Sequence, residues 1–380
     1  MRRTWQRCGI GLALGLSLDA SASFGQGAEQ ARIDQYILAR QAFEAAASEY
    51  WQSVADKRRQ RNAKRRRNEP VRIDDYVLTQ PPVYTGPPRP PELRQDPTEQ
   101  PRPEIPTISD FLGQAASQFG FVPDRPADEI AFKRAYAQAA RAAGLTRDQV
   151  VGIYIFETGG NGTYDMQAGV SPSRPGSRPI SPAVGYNQLL STNTVGLLAE
   201  FGDRYVAALR RKAESLGGPA RAAMDRKIEA LRRMIAFARS VPPVWSAHDR
   251  LAKTTPGGIG IHAAVLDIDL GPMLQVQKLA NSLHFARGKG YRGMLTAAEL
   301  ELMNFTGDGN GIDMILMPHA MRTSVPTANF FQQQGYERNP IARRAGVVAQ
   351  LIAAIEGKMN AAMQAQGARD MAAAFASLQP

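Results

Sequence analysis

The chain has 380 residues, 43% of them hydrophobic, and a formal net charge of +11. That length allows roughly two to three domains and the composition supports a sizeable core, so a mostly globular protein is expected. The charge invites a nucleic-acid reading, but the run KRRQRNAKRRR at Lys57–Arg67 carries +8 by itself, and the remainder is close to neutral.

The N-terminus has the composition of an export signal. Arg2, Arg3 and Arg7 precede an apolar stretch from Gly9 to Leu18, and Ala20-Ser21-Ala22 offers a small-residue cleavage site. Residues 1–22 are therefore expected to be a removable leader, which leaves +9 for the mature chain. The stretch is shorter than the roughly 20 residues that span a bilayer, and no later segment is long and apolar enough. Cys8, the single cysteine, precedes the apolar stretch and would leave with the leader. An exported product without cysteine has no disulfide, so its core must supply the stability.

Between residues 23 and 69 the spacing predicts an amphipathic helix with a basic end. Ile33, Tyr36, Ile37, Phe43, Ala47, Tyr50, Trp51 and Val54 recur largely at intervals of three, four and seven. Its apolar stripe needs a partner, either the globular domain or another protein of the cell envelope. Lys57–Arg67 reads as a solvated face or as a contact with an anionic envelope surface. Ten prolines then fall between Pro81 and Pro106. Residues 70–107 are expected to form a proline-rich linker, either a semi-rigid spacer or a strap over a domain surface.

The globular domain is expected over 108–375 and to be mainly α, since alternating polar and apolar runs are absent. Helices are predicted over Ala127–Ala143 and over Arg147–Phe156, the latter with Thr146 as N-cap. Gly185–Leu198 restarts a helical pattern. Phe201–Val241 reads as a helical pair broken at Gly217-Gly218-Pro219, part of an apparent insertion at about 199–290. Pro242–Gly260 reads as loop and Asp267–Ala286 as helix. Thr296 with Glu299 forms a capping box for a further helix, and Ile341–Phe375 closes the chain with helix.

Glu157 ends an apolar run in IFETGG, where a helix gives way to a loop. A carboxyl packed against apolar neighbours has its charged form disfavoured and its pKa raised, as a general acid near neutral pH requires. The alternative is a carboxylate that merely ends a core helix. Three segments follow in order: IFETGG around Glu157, AVGYNQLL around Gln188 and LMNFTGDGNG around Asn304. This arrangement resembles the lysozyme-like superfamily and, within it, the lytic transglycosylases. The matching positions are Glu157 for the acid, Gly185 and Gln188 for the second motif, and Asn304 with Gly307 for the third. Thr158 stands where serine is usual, Tyr186-Asn187 replace Leu-Met, and Met303 replaces the family's tyrosine, whose phenol would have to come from Tyr164 or Tyr186.

The resemblance implies a lysozyme-like fold, α+β with little sheet, and cleavage of the MurNAc-GlcNAc β-1,4 bond of peptidoglycan with one catalytic carboxylate, leaving 1,6-anhydro-MurNAc ends. Glu157 would be catalytic, and Thr158, Tyr186, Gln188 and Asn304 would bind the sugar. Neither Asp165 nor Asp308 occupies a position marked as a second carboxylate. The protein would then be exported and periplasmic, acting on glycan strands and not on nucleic acid. Two alternatives stay open: a catalytically inactive wall-binding scaffold, and a muramidase that works by hydrolysis. His248, His262, His284 and His319 lack paired ligand spacing, and Asp308–Asp313 reads as a tight turn, so no metal or cofactor is expected.

Overall fold

The computed structural model describes residues 19–93, 104–171, 174 and 176–378. The expected leader up to residue 18, and with it Cys8, lies outside the described residues, as does the stretch 94–103. The chain divides into two units, Met1–Arg102 and Pro103–Pro380.

The first unit holds α1 (Asp19–Arg66), whose last turn places Lys64, Arg65 and Arg66 at the negative end of the helix dipole. The proline-rich stretch does not stand free of it. Lys64 Nζ meets the Asp75 carboxylate at 2.7 and 2.8 Å, and Arg61 Nη1 donates to the Asp75 carbonyl at 2.8 Å. Tyr50 donates to the Thr79 carbonyl at 3.1 Å, the Tyr84 ring lies edge-on to Phe43 at 5.5 Å, and Arg32 pairs with Glu92 at 4.0 Å. The contacts thus run backwards along α1. Helix from Arg32 to Lys64 at 1.5 Å per residue, and extended chain from Asp75 to Glu92 at about 3.1 Å, both span roughly 50 Å, so the two stay in step.

Two open readings narrow. At least as far as Leu93 the proline-rich stretch is a strap on α1 and not a spacer, so the helix finds a partner for its stripe, including buried Ala47 and Val54, within its own chain. Nor is Lys57–Arg67 a uniformly solvated face. Arg61 is 1% exposed, with its guanidinium 4.3 Å from the centre of the Tyr76 ring, while Arg59, Arg66 and Arg67 stay exposed.

The second unit contains α2 (Ile108–Phe119), α3 (Glu129–Ala142), α4 (Arg147–Thr158), α5 (Ser191–Glu214), α6 (Gly218–Ala238), α7 (Trp245–Thr254), α8 (Pro256–Ile261) and α9 (Gly271–Gly288). After these come α10 (Ala297–Thr306), α11 (Asp308–Ile315), α12 (His319–Arg322), α13 (Gln333–Glu337), α14 (Pro340–Ala345), α15 (Val348–Ala361) and α16 (Gln366–Ala376). No sheet forms among the described residues; Val184 makes isolated bridges to Gln167 and Leu189. The protein is mainly α, and no single helix among the described residues is long and apolar enough to cross a membrane.

The Thr296–Glu299 capping box opens α10 as read, and Thr146, read as an N-cap, completes a capping box with Gln149 at the start of α4. Helix α4 is buried on every side from Gln149 to Phe156 because α10, α15 and α16 surround it. Gly152 permits that approach. A Cβ there would stand 2.6 Å from the Ala297 Cβ and 3.1 Å from the Met359 Sδ.

The stretch at about 199–290 is not an appendage. Leu209, Met224, Ile228, Leu231 and Met234 share one core with Phe111 and Ala115 of α2 and with Ala263–Leu266. Lys227 ties the two halves together, with Nζ 2.9 Å from Asp267, 3.1 Å from Asp269 and in contact with Asp124. Burial by itself would lower this ammonium's pKa, but the carboxylates outweigh it and raise it.

Two local expectations fail for one reason, that glycine serves packing as well as turns. Pro242–Gly260 holds α7 and α8, because Gly258 and Gly260 let α8 close on Leu251 and on the backbone of Ala115. Asp308–Asp313 is part of α11, whose Gly311 sits 2.4 Å, as an added Cβ, from the Met303 Cα. Gly185–Gln188 is a tight turn closed by Val184 and Leu189, and helix starts only at Ser191. Helix α9 likewise starts at Gly271, since Asp267 instead accepts from the backbone N–H groups of Asp269 and Leu270.

Candidate functional site

Helix α4 stops where Gly159 turns left-handed at φ 70°, its N–H closing on the Ile155 carbonyl at 2.8 Å. Glu157 therefore lies in the last turn, partly buried, at the end of the dipole that disfavours a carboxylate. Two side chains one turn apart on α10 meet it. Asn304 Nδ2 donates to Glu157 Oε1 at 3.0 Å. Glu301, with no exposed surface, brings its carboxyl beside that of Glu157. From α15 Lys358 reaches across Phe156, its Nζ 4.0 Å from the ring centre, and is a cation acting on Glu157.

Burial has the largest effect on Glu157 and pushes its pKa up to about 7, against the opposing hydrogen bonds from Glu301 and Asn304 and the charge of Lys358. Glu301 is pushed well above the usual carboxylate range, first by burial and then by the charge of Glu157. Two carboxyls in contact do not both ionise readily, so the pair keeps a proton as Glu157 loses its own. A partly buried acid that gives up and takes back a proton near neutral pH is the chemistry this arrangement offers.

The other expected site residues go elsewhere. The Thr158 hydroxyl donates to the Tyr154 carbonyl at 2.6 Å and accepts from Gly160 N–H at 3.3 Å, so it stitches the end of α4. Tyr186 is fully buried, its ring edge-on to Phe132, Tyr136 and Tyr154, and its hydroxyl donates to Glu129. Glu129 is raised by burial, with Tyr186 opposing. Tyr164, the other candidate phenol, accepts from Arg125 Nε at 2.6 Å. Gln188 holds a left-handed backbone at φ 43° and donates through Nε2 to the carbonyls of Met166 and Gly185. That conformation is costly for a residue with a Cβ.

The second motif thus works as a plug. Its turn drives Tyr186 and Asn187 inward, and Asn187 joins α3 to α9 by accepting from Tyr136 at 2.6 Å and donating to the Gln275 carbonyl at 3.0 Å. Glu301 and Lys358 were missed in the sequence. For Glu301 a signal existed, a lone charge in the apolar run Leu300–Met303, a position that demands a partner. For Lys358, on an exposed stretch of α15, there was none. The chain has no match among the known protein families, the curated proteins or the solved structures with which it was compared.

Proposed function

We propose that the second unit cleaves glycan by acid-base chemistry, as a lysozyme-like domain acting as a lytic transglycosylase on peptidoglycan outside the cytoplasm. The observation that carries this reading is the meeting of Glu157 and Asn304, the first and third of three ordered motifs, at a carboxyl whose pKa lies near 7.

Glu157 gives its proton to the bridging oxygen as the bond to the anomeric carbon breaks. Oxocarbenium character then develops on that carbon and needs stabilising. In two-carboxylate glycosidases the acids flank the scissile bond at roughly 5–9.5 Å. Glu301 instead is fully buried beside Glu157, so it does not flank a bound sugar. In a one-carboxylate reaction the substrate's acetamido oxygen attacks the anomeric carbon. The C6 hydroxyl then displaces it, returns its proton to Glu157 and leaves the 1,6-anhydro sugar. No water is consumed. Asn304 holds the Glu157 carboxylate through both steps.

The leader-like N-terminus supports export to the periplasm, and exposed Arg59, Arg66 and Arg67 suit an anionic envelope surface. Digestion of purified sacculi, with products read by mass, tests the proposal. Anhydro-muropeptides from the wild type and none from Glu157→Gln are expected. Equal product from both proteins would sink it, reducing-end sugars would make the protein a hydrolase, and co-sedimentation without cleavage would leave a wall-binding scaffold.

A further inference from the structure

Glu301 has no exposed surface, and neither of its carboxyl oxygens meets an N–H or O–H donor of the protein in acceptable geometry. A carboxylate ion in that place would have neither water nor a donor, a cost of several kcal/mol. The charged and titratable groups that face it are few. They are Glu157 on α4, Lys358 on α15 and the Tyr136 phenol on α3, with the Asn304 amide one turn along its own helix. Lys358 is exposed and sits over the Phe156 ring, so it does not solvate Glu301 directly. Tyr136 directs its hydroxyl to Asn187, 2.6 Å away. The Asn304 amide beside it donates to Glu157, so Glu301 completes a well-aligned hydrogen bond to the Glu157 carboxylate by carrying a proton itself.

We propose that Glu301 is a positioning residue that stays a neutral carboxylic acid and donates a hydrogen bond to the Glu157 carboxylate. With Asn304 it gives that carboxylate two donors, one from each of two side chains on the same face of α10. The bond matters most when Glu157 is ionised, the state in which it must take a proton back. Hydrogen bonds to charged groups are the strong ones. Burial raises Glu157, and Glu301 with Asn304 limits the rise, so that the acid still ionises near neutrality. As a catalytic device this rests on the glycan-cleaving reading, but the proton on Glu301 is measurable without any substrate.

The test uses the full chain and two variants, Glu301→Gln, which keeps a donor, and Glu301→Leu, which removes it. Infrared difference spectra across a pH titration read the C=O stretch of protonated carboxylic acid. In the difference between wild-type and Glu301→Gln spectra, one protonated carboxyl is expected to persist after the Glu157 band has been lost near neutrality. In Glu301→Leu the remaining transition should move up by roughly one pH unit, a tenfold change in ionisation constant, while Glu301→Gln stays close to the wild type. A wild type whose spectrum matches that of Glu301→Gln once Glu157 has ionised overturns the proposal whether or not sacculi are cut. If Glu301→Leu does not fold, the band and its loss in Glu301→Gln still decide. A wild type that leaves sacculi intact yet keeps the band would refute the glycan-cleaving reading alone.

Discussion

Asn304 donates a hydrogen bond from Nδ2 to Oε1 of Glu157 at 3.0 Å, across 147 positions of the chain. The bond joins the last turn of α4 to the last turn of α10, and the carboxyl it orients is the one whose pKa lies near 7. Replacing Asn304 by Ala removes a donor to a charged acceptor, an interaction of about 1.5–3 kcal/mol. We expect anhydro-muropeptide release to fall roughly 10- to 100-fold with the melting temperature little changed. Loss of activity together with loss of fold would make the bond structural.

Stability should depend on pH through Glu157. Its folded pKa, about 7, lies above the ordinary value of 4.5. The contribution of this group is therefore fully present below about pH 4.5 and is lost as pH rises through 7. Glu157→Gln has no such charge to bury, so its stability relative to the wild type should grow between pH 5 and pH 8 by on the order of 1–3 kcal/mol. Paired urea denaturations at the two pH values measure the difference. A gap that shrinks with rising pH would contradict the assignment.

Gly152 sits where α4 touches α10 and α15. A Gly→Ala change inside a helix usually stabilises by about 1 kcal/mol. Here the added Cβ meets the Ala297 Cβ at 2.6 Å, so overpacking, at about 1–3 kcal/mol, wins. Gly152→Ala should lower the urea midpoint and, by parting α4 from α10, cut activity as well. A stabilised and active Gly152→Ala protein would show that the helices have room to spare.

Tyr186→Phe separates architecture from chemistry. The hydroxyl serves Glu129 and makes no hydrogen bond to Glu157. Its removal should destabilise the protein by about 1–3 kcal/mol. The product spectrum and pH profile should stay as in the wild type. A changed pH profile would place Tyr186 in the reaction.

In the first unit Arg61→Ala should loosen the strap. It deletes the bond to the Asp75 carbonyl and the guanidinium packed on Tyr76. Limited proteolysis within residues 70–93 should be several-fold faster than in the wild type, with the second unit unaffected. Unchanged cleavage would mean that Arg61 does not hold the strap.

By itself the sequence determined what local chemistry dictates. The helical class, the N-cap at Thr146, the capping box at Thr296 and the pair α5–α6 follow from spacing and cap residues. Glu157 stood out because an apolar run ended in a lone acid. Only the tertiary structure decided what depends on distant partners. The proline-rich stretch becomes a strap because its rise along the chain matches the pitch of α1 run backwards. The glycines of α8 and α11 are packing contacts, since what a missing Cβ makes room for lies elsewhere in the chain. Tyr186 and Thr158 are spent on Glu129 and on backbone, choices invisible in a motif. Glu301 gains its partner because α10 crosses the end of α4, and burial there, which no local pattern encodes, is what sets the proton of Glu157.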